Sequence, residues 1–229
     1  MIKLVTFDLD DTLWDAGPIL RAAEKKQFAW LDQQLPDFQY RLPREDLIQI
    51  RKSLIRQNPA LTHNLTHLRE EILAIALEKA GLGKSRSRIL AEQAVEVFLQ
   101  GRHEVVYFDH AISLLENLAK QYTLAALSNG NADISRLGIG KYFSFSYSSA
   151  DVNASKPAPD MFMAALRHLD IAPEEAVHVG DHPENDVRAA AMVGLGAIWL
   201  NIAGQAPPEN VAYKEVGCLT EIPGCLNTF

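Results

Sequence analysis

Cysteine is scarce in this chain: two thiols, Cys218 and Cys225, among 229 residues. They have neither C-x-x-C spacing nor a nearby histidine, so they carry no disulfide framework and no thiol chemistry, and read as free thiols in a reducing compartment. Apolar runs of membrane-spanning length, ~20 residues, are also missing. The opening offers one lysine and then acids where a secretory segment needs a longer apolar stretch. A cytoplasmic protein with no membrane role is therefore expected. Positive charge is in deficit, with 22 Lys and Arg against 29 Asp and Glu and a formal net charge of −7. Bulk electrostatics thus argue against nucleic acid or an anionic lipid surface as partner. A small phosphorylated molecule stays compatible, because local cations and a metal can reverse the field inside a site. There are no internal repeats and no low-complexity tracts. The remaining composition, 48% hydrophobic and 22% charged, is that of a globular protein, long enough for one large domain or a core with a smaller second unit.

What is present, and unusual, is an acidic strand end. The β-prone run Ile2-Lys3-Leu4-Val5-Thr6-Phe7 stops at Asp8-Leu9-Asp10-Asp11-Thr12. Like charges ~4 Å apart at an effective dielectric near 20 repel by about 4 kcal/mol per pair unless a cation or proton intervenes. An oxygen-rich acidic cluster of this kind suits magnesium.

The chain then changes character. Segments 17–34, 44–57, 65–81 and 86–101 read as helices, divided by Pro36, Pro43, Asn58-Pro59 and Gly81-Leu82-Gly83. In the third, Leu65, Leu68, Ile72, Ile75 and Ala76 recur at helical spacing while Arg69, Glu70, Glu71 and Glu78 take the opposite face. Residues 16–104 are therefore predicted to be an all-helical insertion, flanked by an α/β core of residues 1–15 and 105–229. In that core, helix 110–121 leads to strand Thr123–Leu127 and a short helix to Phe143–Ser148. Helix 159–169 leads to strand Ala176–Val179, and helix 184–193 to strand Ala197–Leu200. Strands joined by crossover helices predict a Rossmann-like parallel sheet, with ligands beyond the carboxyl ends of the strands. Residues 205–229 give no clear pattern.

Four polar signatures fall at that rim, in chain order: Asp8-x-Asp10-x-Thr12, Ser128 after an apolar strand, Lys156-Pro157 before a helix, and Gly180-Asp181 with Asp186 beyond. Singly each has a structural reading, as a strand end, a turn or a helix start. Together and in order they resemble the haloacid-dehalogenase (HAD) superfamily, most of whose members are phosphatases, and the insertion resembles the cap domain of that family. The resemblance implies Asp8 as nucleophile and Asp10 as general acid and base. It implies magnesium held by Asp8, the Asp10 carbonyl and Asp181, with Asp186 holding the metal or its waters. Ser128 and Lys156 would bind the phosphoryl group, with Thr12 and the Asn129-Gly130 backbone as secondary contacts. Asp11 is read as structural or solvent-facing.

Asp10 favours phosphoryl transfer over dehalogenation, since a departing halide needs no proton. A cap of this size points to a small phosphorylated metabolite as substrate. The core stretches Phe7–Asp15, Asn129–Ala132, Leu137–Phe143 and Ser155–Pro157 are similar to a bacterial subgroup of HAD phosphatases. Those enzymes act on flavin mononucleotide and on the phosphoribitylaminouracil precursor of riboflavin. Phosphoglycolate, sugar phosphates and nucleotides are alternative substrates, and a sugar phosphomutase or an idle metabolite-binding protein are alternative functions. A monomer or homodimer is expected. Trp14 is read either as core packing or as a ring that stacks on a planar substrate, the former preferred. His63 and His67 have metal-pair spacing but no accompanying glutamate, and no metal is assigned to them.

Overall fold

A computed structural model describes residues 1–229. The chain divides into two compact units, Met1–Ala16 with Val105–Phe229, and Gly17–Glu104.

The first unit is built on six parallel strands: β1 (Leu4–Phe7), β2 (Thr123–Ser128), β3 (Phe145–Ser148), β4 (Ala176–Gly180), β5 (Gly196–Leu200) and β6 (Lys214–Val216). Their spatial order is β3-β2-β1-β4-β5-β6. β1 thus lies inside the sheet, and all four of its residues are buried, as the apolar run of a two-sided parallel strand requires. The register pairs Phe7 with Ala126 on one side and with Val179 on the other, so β2 and β4 reach Ser128 and Gly180 just beyond the carboxyl end of β1. Leu4, Leu127, Met161, Phe162, Leu166 and Trp199 form part of one continuous core against the sheet.

The helical unit contains most of α1 (Ala16–Gln34), then α2 (Phe38–Arg41), α3 (Arg44–Gln57), α4 (Leu65–Lys79) and α5 (Lys84–Arg102). Its own core includes Leu31, Phe38, Leu73, Leu77, Ala94 and Val95. The side chain of Asn64 accepts from the His67 amide and starts α4. Gly81, at φ +99°, follows its end, the left-handed position that glycine takes most cheaply after a helix. No helix of the chain is long and apolar enough to cross a membrane.

Several elements differ from the sequence expectation. The segment after the insertion carries α6 (Ala111–Leu118), α7 (Ser149–Val152) and α8 (Asp160–Leu169). α7 was not expected; Ser148 and Asp151 form a capping box around its first turn. The short helix expected before β3 is a set of turns ending in a 3₁₀ turn, Gly140–Tyr142. The helix expected over 184–193 is a π-helical turn, Pro183–Arg188, followed by α9 (Ala189–Val193). Residues 205–229, unpatterned in sequence, supply β6 and α10 (Ile222–Leu226).

Candidate active site

The ladder of β1 continues one residue beyond the strand, where the Asp8 amide donates to Val179 O at 2.9 Å. This places the Asp8 carboxylate at the sheet rim, 8% exposed. Lys156 meets it there. Its ammonium donates to Asp8 Oδ1 at 2.7 Å, Asp186 Oδ1 at 2.6 Å and Leu127 O at 2.7 Å. An ammonium has three protons, and three acceptors fix its direction completely. The Lys156 backbone is fixed as well, since its N–H donates to Asn129 Oδ1 and its carbonyl accepts from Asn129 Nδ2. The side chain of Asn129 is thus committed to placing Lys156. Its backbone, with that of Gly130, is the part left for the phosphate role expected of this turn.

Asp186 is the hub of the buried side. His178 Nε2 lies 3.1 Å from Asp186 Oδ1, and the His182 amide donates to Oδ2 at 2.9 Å. A carboxylate only accepts, so His178 carries its proton on Nε2, and its Nδ1 accepts from the Thr6 hydroxyl at 2.8 Å. The π-helical turn allows Asp186 to reach inward. Gly180 leaves it room, because a Cβ at that position would stand 2.6 Å from Asp186 Oδ2. His178 and Thr6 are absent from the sequence expectation. Their signal was there: each is the polar residue of a strand otherwise made of buried apolar side chains.

Asp181, after β4, accepts from the Thr12 hydroxyl at 3.1 Å through Oδ1. Thr12 is fully buried, so its hydroxyl serves Asp181, where a secondary phosphate contact was expected. Ser128 Oγ accepts from the Gly130 amide at 3.0 Å, which turns the serine proton away from that amide. Asp10 Oδ1 accepts from Trp14 Nε1 at 2.9 Å. Trp14 is fully buried against Tyr107, so its ring is core, and stacking on a substrate is ruled out in this conformation. The carboxylate of Asp11 caps the start of α1 by accepting from the Ala16 amide, the structural part read for it. His182 is similarly occupied, accepting from the Glu184 and Asn185 amides.

The electrostatics describe a site short of positive charge. Carboxylate oxygens of Asp8, Asp181 and Asp186 lie within 4.8 Å of one another, and Lys156 offsets one of the three charges. Burial opposes ionisation of Asp186, but Lys156 and His178 hold its carboxyl below the usual range. Burial pulls the Lys156 ammonium down, yet Asp186 and Asp8 outweigh it and hold it charged. Burial pushes Asp8 well up despite Lys156, with Asp186 and Asp181 adding to the rise. Burial and then Asp186 push Asp181 to about 7. His178 is kept neutral by burial. Two carboxyls held above their ordinary range beside a third that stays ionised, all oxygen donors, suit a hard divalent cation.

A pH dependence follows. A carboxyl whose folded pKa exceeds its unfolded value, near 4, binds its proton more tightly in the folded chain. Its stabilisation is complete below pH ~4 and is lost as pH rises through the folded value. For Asp181 that window runs from about 4 to about 7, and Asp8 acts in the same sense. Asp186, shifted down, acts oppositely but only below its unfolded value. His178, kept neutral in the fold, opposes this below its unfolded value near 6.5. Thermal unfolding in a chelator should therefore show a midpoint that falls between pH 6.5 and pH 7.5, by about 2–4 °C for each kcal/mol lost. Excess divalent cation should remove the fall. A chelated midpoint that is flat or rising over this range would count against the charge deficit.

Comparisons with known proteins agree with this geometry. Residues 2–194 match the family described as haloacid dehalogenase-like hydrolase. The 5-amino-6-(5-phospho-D-ribitylamino)uracil phosphatase YigB of Escherichia coli (strain K12) is 31% identical over 209 residues, covering 91% of this chain and 85% of the relative. The phosphoserine phosphatase of Thermus thermophilus is 37% identical over 161 residues, 67% of this chain and 63% of its own. Among solved structures, one described as a 2-haloacid dehalogenase from Pseudomonas syringae pv. Tomato DC3000 superposes with a TM-score of 0.96 at 42% identity, covering 100% of this chain and 99% of that one.

Proposed function

This chain belongs to the haloacid dehalogenase-like hydrolases, and from that premise we propose that it is a magnesium-dependent phosphatase of small phosphorylated metabolites, working through an aspartyl-phosphate on Asp8. One observation carries the reading: a buried lysine clamped between Asp8 and Asp186, with a second aspartate, Asp10, just past the nucleophile. A charge fixed in that way is preorganised for a phosphoryl group gaining negative charge in the transition state.

The Asp8 carboxylate attacks phosphorus in line. A carboxylate oxygen–phosphorus bond forms as the ester P–O bond breaks, and Asp10 gives its proton to the departing oxygen. Asp10, now ionised, takes a proton from the water that attacks the phosphoenzyme, and inorganic phosphate leaves with Asp8 restored. Lys156 supplies a fixed positive charge against the phosphoryl group, and the Ser128 hydroxyl binds its oxygens, aided by the Asn129–Gly130 backbone. Asp8, Asp181 and the Asp10 carbonyl would hold the cation, with Asp186 as ligand or holding its waters; once bound, it neutralises charge on the phosphoryl oxygens. Thr12 keeps Asp181 turned toward this role. We assign substrate choice to the helical insertion, residues 16–104. The similarity to the Escherichia coli phosphatase makes the ribitylaminouracil phosphate, with flavin mononucleotide, the first substrates to try.

The similarity to a structure described as a 2-haloacid dehalogenase supports a second reading, hydrolysis of a carbon–halogen bond. Asp10 weighs against it, because halide leaves without a proton. Purified protein should release phosphate from 4-nitrophenyl phosphate, lose that activity to a chelator and regain it with magnesium. A panel including flavin mononucleotide, phosphoserine, phosphoglycolate, sugar phosphates and nucleotides then ranks the substrates. Halide release from a 2-haloacid without any phosphate release would overturn the proposal, and phosphate appearing on a second hydroxyl of the substrate would mark a mutase.

A further inference from the structure

We infer that Trp14 is a positioning residue for the general acid: its indole N–H holds Asp10 Oδ1 and so aims the catalytic proton from Oδ2. The inference rests on the phosphatase reading and adds a residue to it. Trp14 Nε1 donates to Asp10 Oδ1 at 2.9 Å. An indole nitrogen is a donor only, so the oxygen it binds cannot turn a proton toward it. When Asp10 is protonated, the proton therefore sits on Oδ2, and the carboxyl cannot rotate to exchange its oxygens without losing the indole bond.

The indole is itself firmly placed. Its ring is fully buried and meets Tyr107 edge-on, with centroids 5.7 Å apart and planes at 82°. Tyr107 is anchored by its hydroxyl, which donates to Leu137 O at 2.9 Å. The backbone adds two ties: the Asp11 amide donates to Trp14 O at 2.8 Å, and Trp14 bridges to Tyr107 in antiparallel fashion. Asp10 itself is only half-buried. A carboxyl near solvent samples several rotamers unless something selects one, and general-acid catalysis needs the proton within hydrogen-bond reach of the leaving oxygen. In the proposed step, that proton passes from Oδ2 to the leaving oxygen. The P–O pair moves onto the same oxygen, and Asp10 is left as a carboxylate still bound to the indole.

Trp14→Phe keeps the aromatic packing on Tyr107 and deletes the donor. The parameter to measure is kcat/KM, which covers events only through departure of the leaving group. It should fall about tenfold for an alkyl monophosphate, whose alkoxide needs a proton, and no more than about twofold for 4-nitrophenyl phosphate, whose phenolate does not. Equal losses on both substrates would reduce Trp14 to packing, and no loss on either would remove it from catalysis; each overturns the inference. Asp10→Ala is the companion. If it too shows no leaving-group dependence, the acid role of Asp10 fails and the phosphatase mechanism with it. If it shows the dependence and Trp14→Phe does not, only the positioning role of Trp14 fails. Should Trp14→Phe not fold, the indole N–H resonance of Trp14 in the unaltered tryptophan background decides. It should shift upfield and exchange faster in Asp10→Ala, and an unmoved resonance would overturn the bond.

Discussion

Asp8→Asn should abolish turnover, by a factor on the order of 10⁴–10⁶ in kcat, while leaving the folded chain as stable as before or more so. The activity loss follows from its proposed role, since a neutral amide does not attack phosphorus and no neighbouring carboxylate can replace it in line. Asp181 accepts from Thr12, and Asp186 is bound to Lys156 and His178. The stability effect follows from burial. Desolvation and two nearby carboxylates already push Asp8 toward its protonated form, so an uncharged isostere relieves a repulsion. An asparagine Oδ1 also still accepts from the Lys156 ammonium. Turnover is read by phosphate release and stability by thermal unfolding in chelator. A lowered unfolding midpoint in Asp8→Asn would mean that the Asp8 charge supports the fold, contrary to a site short of positive charge.

Lys156→Ala should lose activity too, by roughly 10²–10³ in kcat, the scale of a single preorganised charge or donor, but with the opposite effect on stability. Removing one partner of a buried ion pair leaves its carboxylates uncompensated, at a cost of about 3–5 kcal/mol. Here two carboxylates, Asp8 and Asp186, lose their cation together. The unfolding midpoint should drop by about 6–20 °C for a chain of this size, and excess divalent cation should recover part of the drop. Arginine should not substitute, because its planar fork does not fit three acceptors that converge on a single nitrogen. Both variants lose turnover but move oppositely in stability, which separates the proposed nucleophile from the charge that steadies it. A Lys156→Ala protein as stable as the parent would contradict this division.

The candidate site is legible in sequence because it gathers residue types that strands do not otherwise tolerate. Three acids after an apolar run, and a glycine–aspartate after another, stand out against the period of the sheet. The parallel α/β pattern is legible because buried parallel strands are short and mostly apolar. What stayed hidden depends on groups that meet only in space. Asn129 is readable as a turn residue, yet nothing in its neighbours says that both ends of its amide hold the Lys156 backbone. Thr12 could face either a phosphate or a carboxylate, and the fold selects the carboxylate. The π-helical turn at Pro183–Arg188 has the composition of an ordinary helix start; the pull of Lys156, His178 and the His182 amide on Asp186 is invisible in a single strand of sequence. β6 is only three residues long, too short for alternation to register.

The interior position of β1 has a consequence for how the protein is made. Asp8 and Lys156 stand 148 positions apart, and both strands that flank β1 follow the helical insertion in the chain. At 5–20 residues per second, a ribosome takes roughly 7–30 s to add the lysine after the aspartate. For most of that interval, until β2 is made, a wholly buried strand of the finished sheet is synthesised but unpaired, a segment of the kind that seeks other chains. Its acidic end then acts as a gatekeeper: the charges that later require a cation keep the nascent strand from associating until its neighbours arrive.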